Sequence, residues 1–100
     1  MSMENYNEFD NAQLTVAIEG RLDTTTAPQL EKFLSENSEG IKDMVIDMAK
    51  LEYISSAGLR VILGAHKKMS KIGSLKLINV CDEVMEVFEM TGFTDILDIE

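Results

Sequence analysis

Polar and apolar residues alternate over Gln13 to Glu19, with Leu14, Val16 and Ile18 set against Gln13, Thr15 and Ala17. A period of two predicts a half-buried strand. A second run, Tyr6 to Asp10, precedes it across the turn-prone pair Asp10-Asn11, and the two runs together predict a hairpin. Gly20-Arg21-Leu22-Asp23 then leaves the sheet. From Thr24 the period changes. Ala27, Leu30, Phe33 and Leu34 form a stripe at helical spacing. Thr26 and Gln29 match a capping box, Pro28 suits a first turn, and Asn37 to Gly40 closes the helix.

Met44-Val45-Ile46 predicts a short buried strand ending at Asp47, and Leu51 to Ile54 a loop. A second helix is expected from Ala57, with Leu59, Ile62, Leu63, His66 and Met69 on one face. Lys67, Lys68 and Lys71 crowd its last turn, where cations complement the helix dipole, and Gly73 ends it. Leu75, Leu77 and Val80 bracket a further strand. Asp82 is placed to cap a third helix carrying Val84, Val87 and Phe88, and Gly92 to close it in the left-handed conformation. Phe93 to Ile99 returns apolar groups to the core. The order is β-β-α-β-α-β-α, an α/β chain with a small mixed sheet and helices packed on it.

Composition narrows the function classes. One hundred residues are one domain's worth, and 45% hydrophobic with 27% charged residues is a globular balance. A formal net charge of −9 disfavours nucleic acid and anionic membranes. No apolar run is long enough to span a bilayer and the polar N-terminus does not read as a signal peptide, so the cytoplasm is the expected location. A single cysteine, Cys81, permits neither an internal disulfide nor a metal site, and the single histidine, His66, reads as a core or boundary residue. The methionines at Met44, Met69, Met85 and Met90 read as core filler. There is no Gly-x-Ser-x-Gly elbow and no phosphate-binding glycine loop, so neither catalysis nor a cofactor is expected.

The informative stretch runs from Asp47 to Arg60, where a strand leads through Tyr53-Ile54-Ser55-Ser56-Ala57-Gly58-Leu59 into a helix. A hydroxyl at a helix mouth caps free backbone N–H groups, and the same groups accept a phosphate. With Gly20-Arg21-Leu22-Asp23 and Asp47, this segment resembles the STAS domains that act as bacterial anti-sigma-factor antagonists, whose motif reads Asp-Ser-Ser/Thr-Gly-Leu-Gly. The resemblance extends over nearly the whole chain and implies one STAS domain over residues 1–100. It implies no enzyme but a partner switch, with Ser56 as phosphoacceptor and Ser55 as a second candidate. Unphosphorylated, such a protein binds an anti-sigma factor that is also a serine-protein kinase; phosphorylation releases it and a PP2C-type phosphatase resets it. A monomer is expected, with a docking surface of Asp23, Ser55, Ser56, Ala57, Gly58, Leu59 and Arg60. The sequence departs from the motif at Ser55 for Asp, Ala57 for Ser/Thr and Arg60 for the second Gly. Arg60 could pair with a phosphate on Ser56 or with an acidic partner. Two other readings stay open: a non-catalytic subunit of a transport or stress-signalling assembly in which Ser56 is only a helix cap, and a small enzyme or nucleotide-binding module.

Overall fold

The computed structural model describes residues 2–5 and 13–100. Five strands form one sheet whose spatial order follows the chain: β1 (Ser2–Asn5), β2 (Gln13–Leu22), β3 (Asp43–Ile54), β4 (Ser74–Ile78) and β5 (Asp98–Ile99). β1 runs antiparallel to β2, and every later neighbour is parallel. Parallel neighbours need crossovers, which α1 (Ala27–Asn37), α2 (Ser56–Ser70) and α3 (Asp82–Met90) supply. The mixed sheet with covering helices is the architecture the apolar periodicity predicts. The expected antiparallel opening pair is present, with Ser2–Asn5 as its first strand; Tyr6–Asp10 and the Asp10-Asn11 turn lie outside the described residues.

The core is continuous. Leu14, Val16 and Ile18 from β2, Met44, Ile46 and Met48 from β3, and Leu75 and Leu77 from β4 point inward. They meet Leu30 and Leu34 of α1, Leu59, Ile62 and Met69 of α2, and Val84 and Phe88 of α3. Strand residues of the opposite parity, such as Thr15, Val45 and Lys76, are half-buried. α1 lies beside α2.

Several local expectations are corrected. β2 does not leave the sheet at Gly20 but continues to Leu22, and β3 does not stop at Asp47 but runs on through Leu51 to Ile54. The reason is two irregularities in the β2–β3 ladder. Ala17 pairs with Asp47 but Glu19 with Lys50, and Gly20 pairs with Leu51 but Arg21 with Tyr53, so β3 carries an extra residue each time. A bulge advances the strand by one residue without turning its apolar side outward. The buried positions therefore change from every second residue (Met44, Ile46, Met48) to every third (Leu51, Ile54), a spacing that does not read as a strand. Asp47 sits inside the strand, where its Oδ1 accepts the Ala49 N–H at 3.0 Å and the Asn79 side-chain amide at 3.1 Å.

The Thr26–Gln29 capping box does not form. Thr26 is the N-cap, but its hydroxyl turns back to Arg21 O at 2.7 Å and accepts the Asp23 N–H at 2.8 Å. Cys81, not Asp82, is the N-cap of α3, and Asp82 is its first helical residue, where a carboxylate still complements the dipole. Gly92 takes the expected left-handed conformation at φ 78°. Met44 and Met69 are core residues, whereas Met85 is half-buried and Met90 is 79% exposed, so Met90 is not core filler. The tail does more than pack: Leu97 is buried, Asp98–Ile99 adds β5, and Glu100 closes on Lys76 at 3.0 Å, which raises the Lys76 ammonium above its usual value.

Two glycines are required by close approach. A Cβ on Gly58 would stand 2.7 Å from Leu22 Cγ and 2.9 Å from Ile54 Cγ1, and one on Gly73 would overlap the Lys42 carbonyl. Gly64 is different. It lies within α2 at negative φ, and a Cβ there would meet nothing within 4 Å. A helical glycine costs about 1 kcal/mol relative to alanine, and neither packing nor backbone conformation accounts for this one.

Candidate functional site

The C-terminal ends of β2 and β3 are held together by their register, Leu22 opposite Ile54, and by the Ser55 N–H donating to Leu22 O at 2.9 Å. That bond sets where α2 begins. Ser55 stays extended (φ −100°, ψ 177°) as the N-cap, and its Oγ accepts the Gly58 N–H at 3.4 Å. Gly58 lets the first turn settle onto Leu22 and Ile54. The helix starts one residue earlier than expected, at Ser56.

The two serines thus have separate jobs. Ser55 is half-buried and its hydroxyl is engaged in capping. Ser56 is exposed at the first helical position, and its side chain makes no hydrogen bond among the described residues. Asp and Ser are both strong N-cap residues, so Ser55 in place of the motif's Asp preserves the cap while removing a negative charge. Ala57 is half-buried against the core, Gly58 and Leu59 are buried, and Arg60 is exposed one turn beyond Ser56. Of the expected docking set, then, Ser56 and Arg60 face solvent, while Gly58 and Leu59 hold the turn in place.

Asp23 follows directly on Leu22, so the β2–β3 junction brings its loop to the same end of the sheet as Ser55 and Ser56. It is more than a surface charge. Its Oδ1 accepts the Thr25 N–H at 3.0 Å, the Thr25 hydroxyl at 2.7 Å and the Thr26 N–H at 3.2 Å. The Thr25 hydroxyl and then its N–H, followed by the Thr26 bonds, outweigh desolvation and hold the carboxyl below the usual carboxylate value. The loop entering α1 is therefore ordered by Asp23, and its other oxygen stays turned toward Arg21, 4.0 Å away.

Two residues at this end stand within the quoted motifs but have no role assigned from the sequence. Arg21 and Tyr53 are register partners, and the Arg21 guanidinium lies 4.1 Å from the centre of the Tyr53 ring. Tyr53 is 41% exposed. The signal available in the sequence was an aromatic two residues before the cap, but its outward direction depends on the second bulge. Chemically the site is an exposed polar surface with one partly exposed aromatic ring. Among the described residues no group of three or more His, Cys, Asp or Glu side chains could hold a metal ion, and no helix is long and apolar enough to cross a membrane. Cys81 is a half-buried free thiol whose sulfur lies 3.5 Å from the Leu51 carbonyl of β3, and His66 is a half-buried residue further along α2.

Comparison with known proteins agrees with this geometry. Residues 3–100 match the STAS domain model. The anti-sigma-B factor antagonist of Bacillus subtilis is 37% identical over 94 residues, covering 93% of this chain and 84% of the relative. The anti-sigma factor antagonist SpoIIAA in its unphosphorylated form superposes with a TM-score of 0.75 at 15% identity, covering 99% of this chain and 87% of that one. The Bacillus cell fate determinant SpoIIAA in the phosphorylated form gives the same score at 16% identity, covering 99% and 91%. With sheet order, helix placement, the turn built on Ser55 and Gly58, and a family match over almost its full length, the chain belongs to the STAS domain family.

Proposed function

We propose that this chain is an anti-sigma-factor antagonist that works as a phosphorylation-controlled docking module, with no catalysis of its own. Unmodified, it binds an anti-sigma factor with serine-kinase activity; phosphorylation of Ser56 ends the complex, and a PP2C-type phosphatase restores it, all in the cytoplasm. The observation that carries the reading is the division of labour at the start of α2: Ser55 holds the cap, so Ser56 presents a hydroxyl that the fold does not use. The similarity to anti-sigma-B factor antagonists supports the partner class.

The physical argument follows from position. A phosphate on Ser56 adds about −1.5 to −2 charge beside unpaired N–H groups at the positive end of a 15-residue helix, where a dianion is stabilised. The fold can therefore carry it. A partner docked over Ser56 cannot, because the new charge would be buried without a counterpart. Such a burial costs about 2–5 kcal/mol, roughly 30- to several-thousand-fold in affinity. Arg60, one turn further on, is placed to meet either the phosphate or an acidic side chain of the partner. The reading in which Ser56 is only a structural cap loses its premise, since the cap is Ser55.

The test is direct. Incubation with the serine-kinase anti-sigma factor of the same organism and ATP, followed by mass-spectrometric mapping, should place phosphate on Ser56. Ser56→Asp should lose binding with its melting temperature close to wild type, and Ser56→Ala should bind whether or not ATP is present. Phosphate on neither serine, or a Ser56→Asp protein that binds as tightly as wild type, rejects the proposal.

A further inference from the structure

Gly64 has no structural reason to be glycine, and its place explains what it does. On α2, Ser56, Arg60, Gly64 and Lys68 recur every fourth residue and form an exposed ridge that slants around the helix. Arg60, Gly64 and Lys68 of this ridge border a groove of about 240 Å³ between α1 and α2, and Ser56 lies one turn beyond it. Val61 and Ala65 of α2 and Leu34 of α1 give the groove its apolar floor. Lys68 closes one end, bonded to Ser38 at 3.3 Å, and Glu31 stands on the α1 wall. The missing side chain at Gly64 leaves the middle of the track open.

We propose that this groove is the second half of the docking surface and receives an amphipathic helix of the anti-sigma factor, its backbone passing close over Gly64. The inference rests on the proposed function, and it extends that site from the point contact at Ser56 to a track running down α2. Charge selects the occupant. On a chain of net charge −9, the rim of this groove carries Arg60 and Lys68, eight residues and so about 12 Å apart. A partner helix with carboxylates about two turns apart, flanking a small or apolar residue, matches both cations and the gap between them. Continuity with Ser56 gives the switch leverage, because a phosphate at the head of the track lies where the partner helix must enter.

Calorimetric titration with the purified serine-kinase anti-sigma factor of the same organism separates this from the parent reading. A Cβ at Gly64 meets nothing within 4 Å and leucine is a better helix former than glycine, so Gly64→Leu, which puts its side chain over the groove, should bind at least tenfold more weakly while melting no lower than wild type. Gly64→Ala should raise the melting temperature. Arg60→Glu combined with Lys68→Glu should also weaken binding at least tenfold, and raising salt should narrow that difference. A Gly64→Leu protein that binds within threefold of wild type, while Ser56→Asp still loses binding, overturns the groove and leaves the switch standing. Wild-type protein that does not bind the factor at all overturns both.

Discussion

The two ends of the sheet are joined to α2 by the same device, and they differ in what the side chains there are bonded to. At the end where α2 begins, a backbone N–H reaches across to the neighbouring strand, Ser55 to Leu22 O at 2.9 Å, and Gly58 permits close packing on Leu22 and Ile54. At the end where α2 finishes, the Ser74 N–H reaches Lys42 O at 2.8 Å, and Gly73 permits close packing on Lys42. The second joint uses its side chains on itself, with the Ser74 hydroxyl bonded to Asp43 at 2.8 Å. The first leaves Ser56, Arg60 and Tyr53 turned outward. The comparison can be tested by breaking the joints separately from the outward groups.

The largest loss is expected at the closed joint. Gly73→Ala drives a Cβ into backbone, which cannot yield as a side chain can, and should cost about 3 kcal/mol or more in denaturant unfolding. Gly58→Ala meets side chains of Leu22 and Ile54 that can shift in part, so about 1–3 kcal/mol is expected. Ser55→Ala removes the cap and should cost about 1 kcal/mol, while Ser56→Ala should stay within about 0.5 kcal/mol of wild type. Equal losses at the two serines would erase the division of labour between them.

The smallest effect is a pH dependence. The Asp23 carboxyl is held below its ordinary value by Thr25 and Thr26, so its contribution is present above the unfolded carboxylate pKa and fades as pH falls through the lower folded value. The stability difference between wild type and Asp23→Ala should therefore be constant at neutral pH and shrink in acid below about pH 4. A difference that grows on acidification would contradict the assigned hydrogen bonds.

How far the sequence foretold these features depends on whether their causes are local. The stripes on α1 and α2, the strand at Leu75 and Leu77, and the left-handed Gly92 follow from side-chain spacing, and the structure has them. The second half of β3 was hidden, because its phase is set by pairing with β2 and not by its own alternation. The choice between Ser55 and Ser56 was hidden for a related reason. Either serine satisfies a local capping rule, and only the Leu22 carbonyl, more than thirty residues earlier, decides which is the cap. Thr26 shows the converse: its local pattern fits a capping box, but Asp23 and Arg21 O compete for its hydroxyl and win.

The bulges in β3 make the stretch from Met48 to Ser55 sensitive to its length more than to its letters. Ala49, Lys50 and Glu52 are exposed and can be exchanged freely as far as the core is concerned. Removing any one of them would disturb the spacing that sets Ile54 opposite Leu22 and brings the Ser55 N–H to the Leu22 carbonyl. Natural variants of this chain should therefore tolerate substitution in that window while rejecting insertions and deletions, because a single missing residue would misplace the start of α2 without altering either serine.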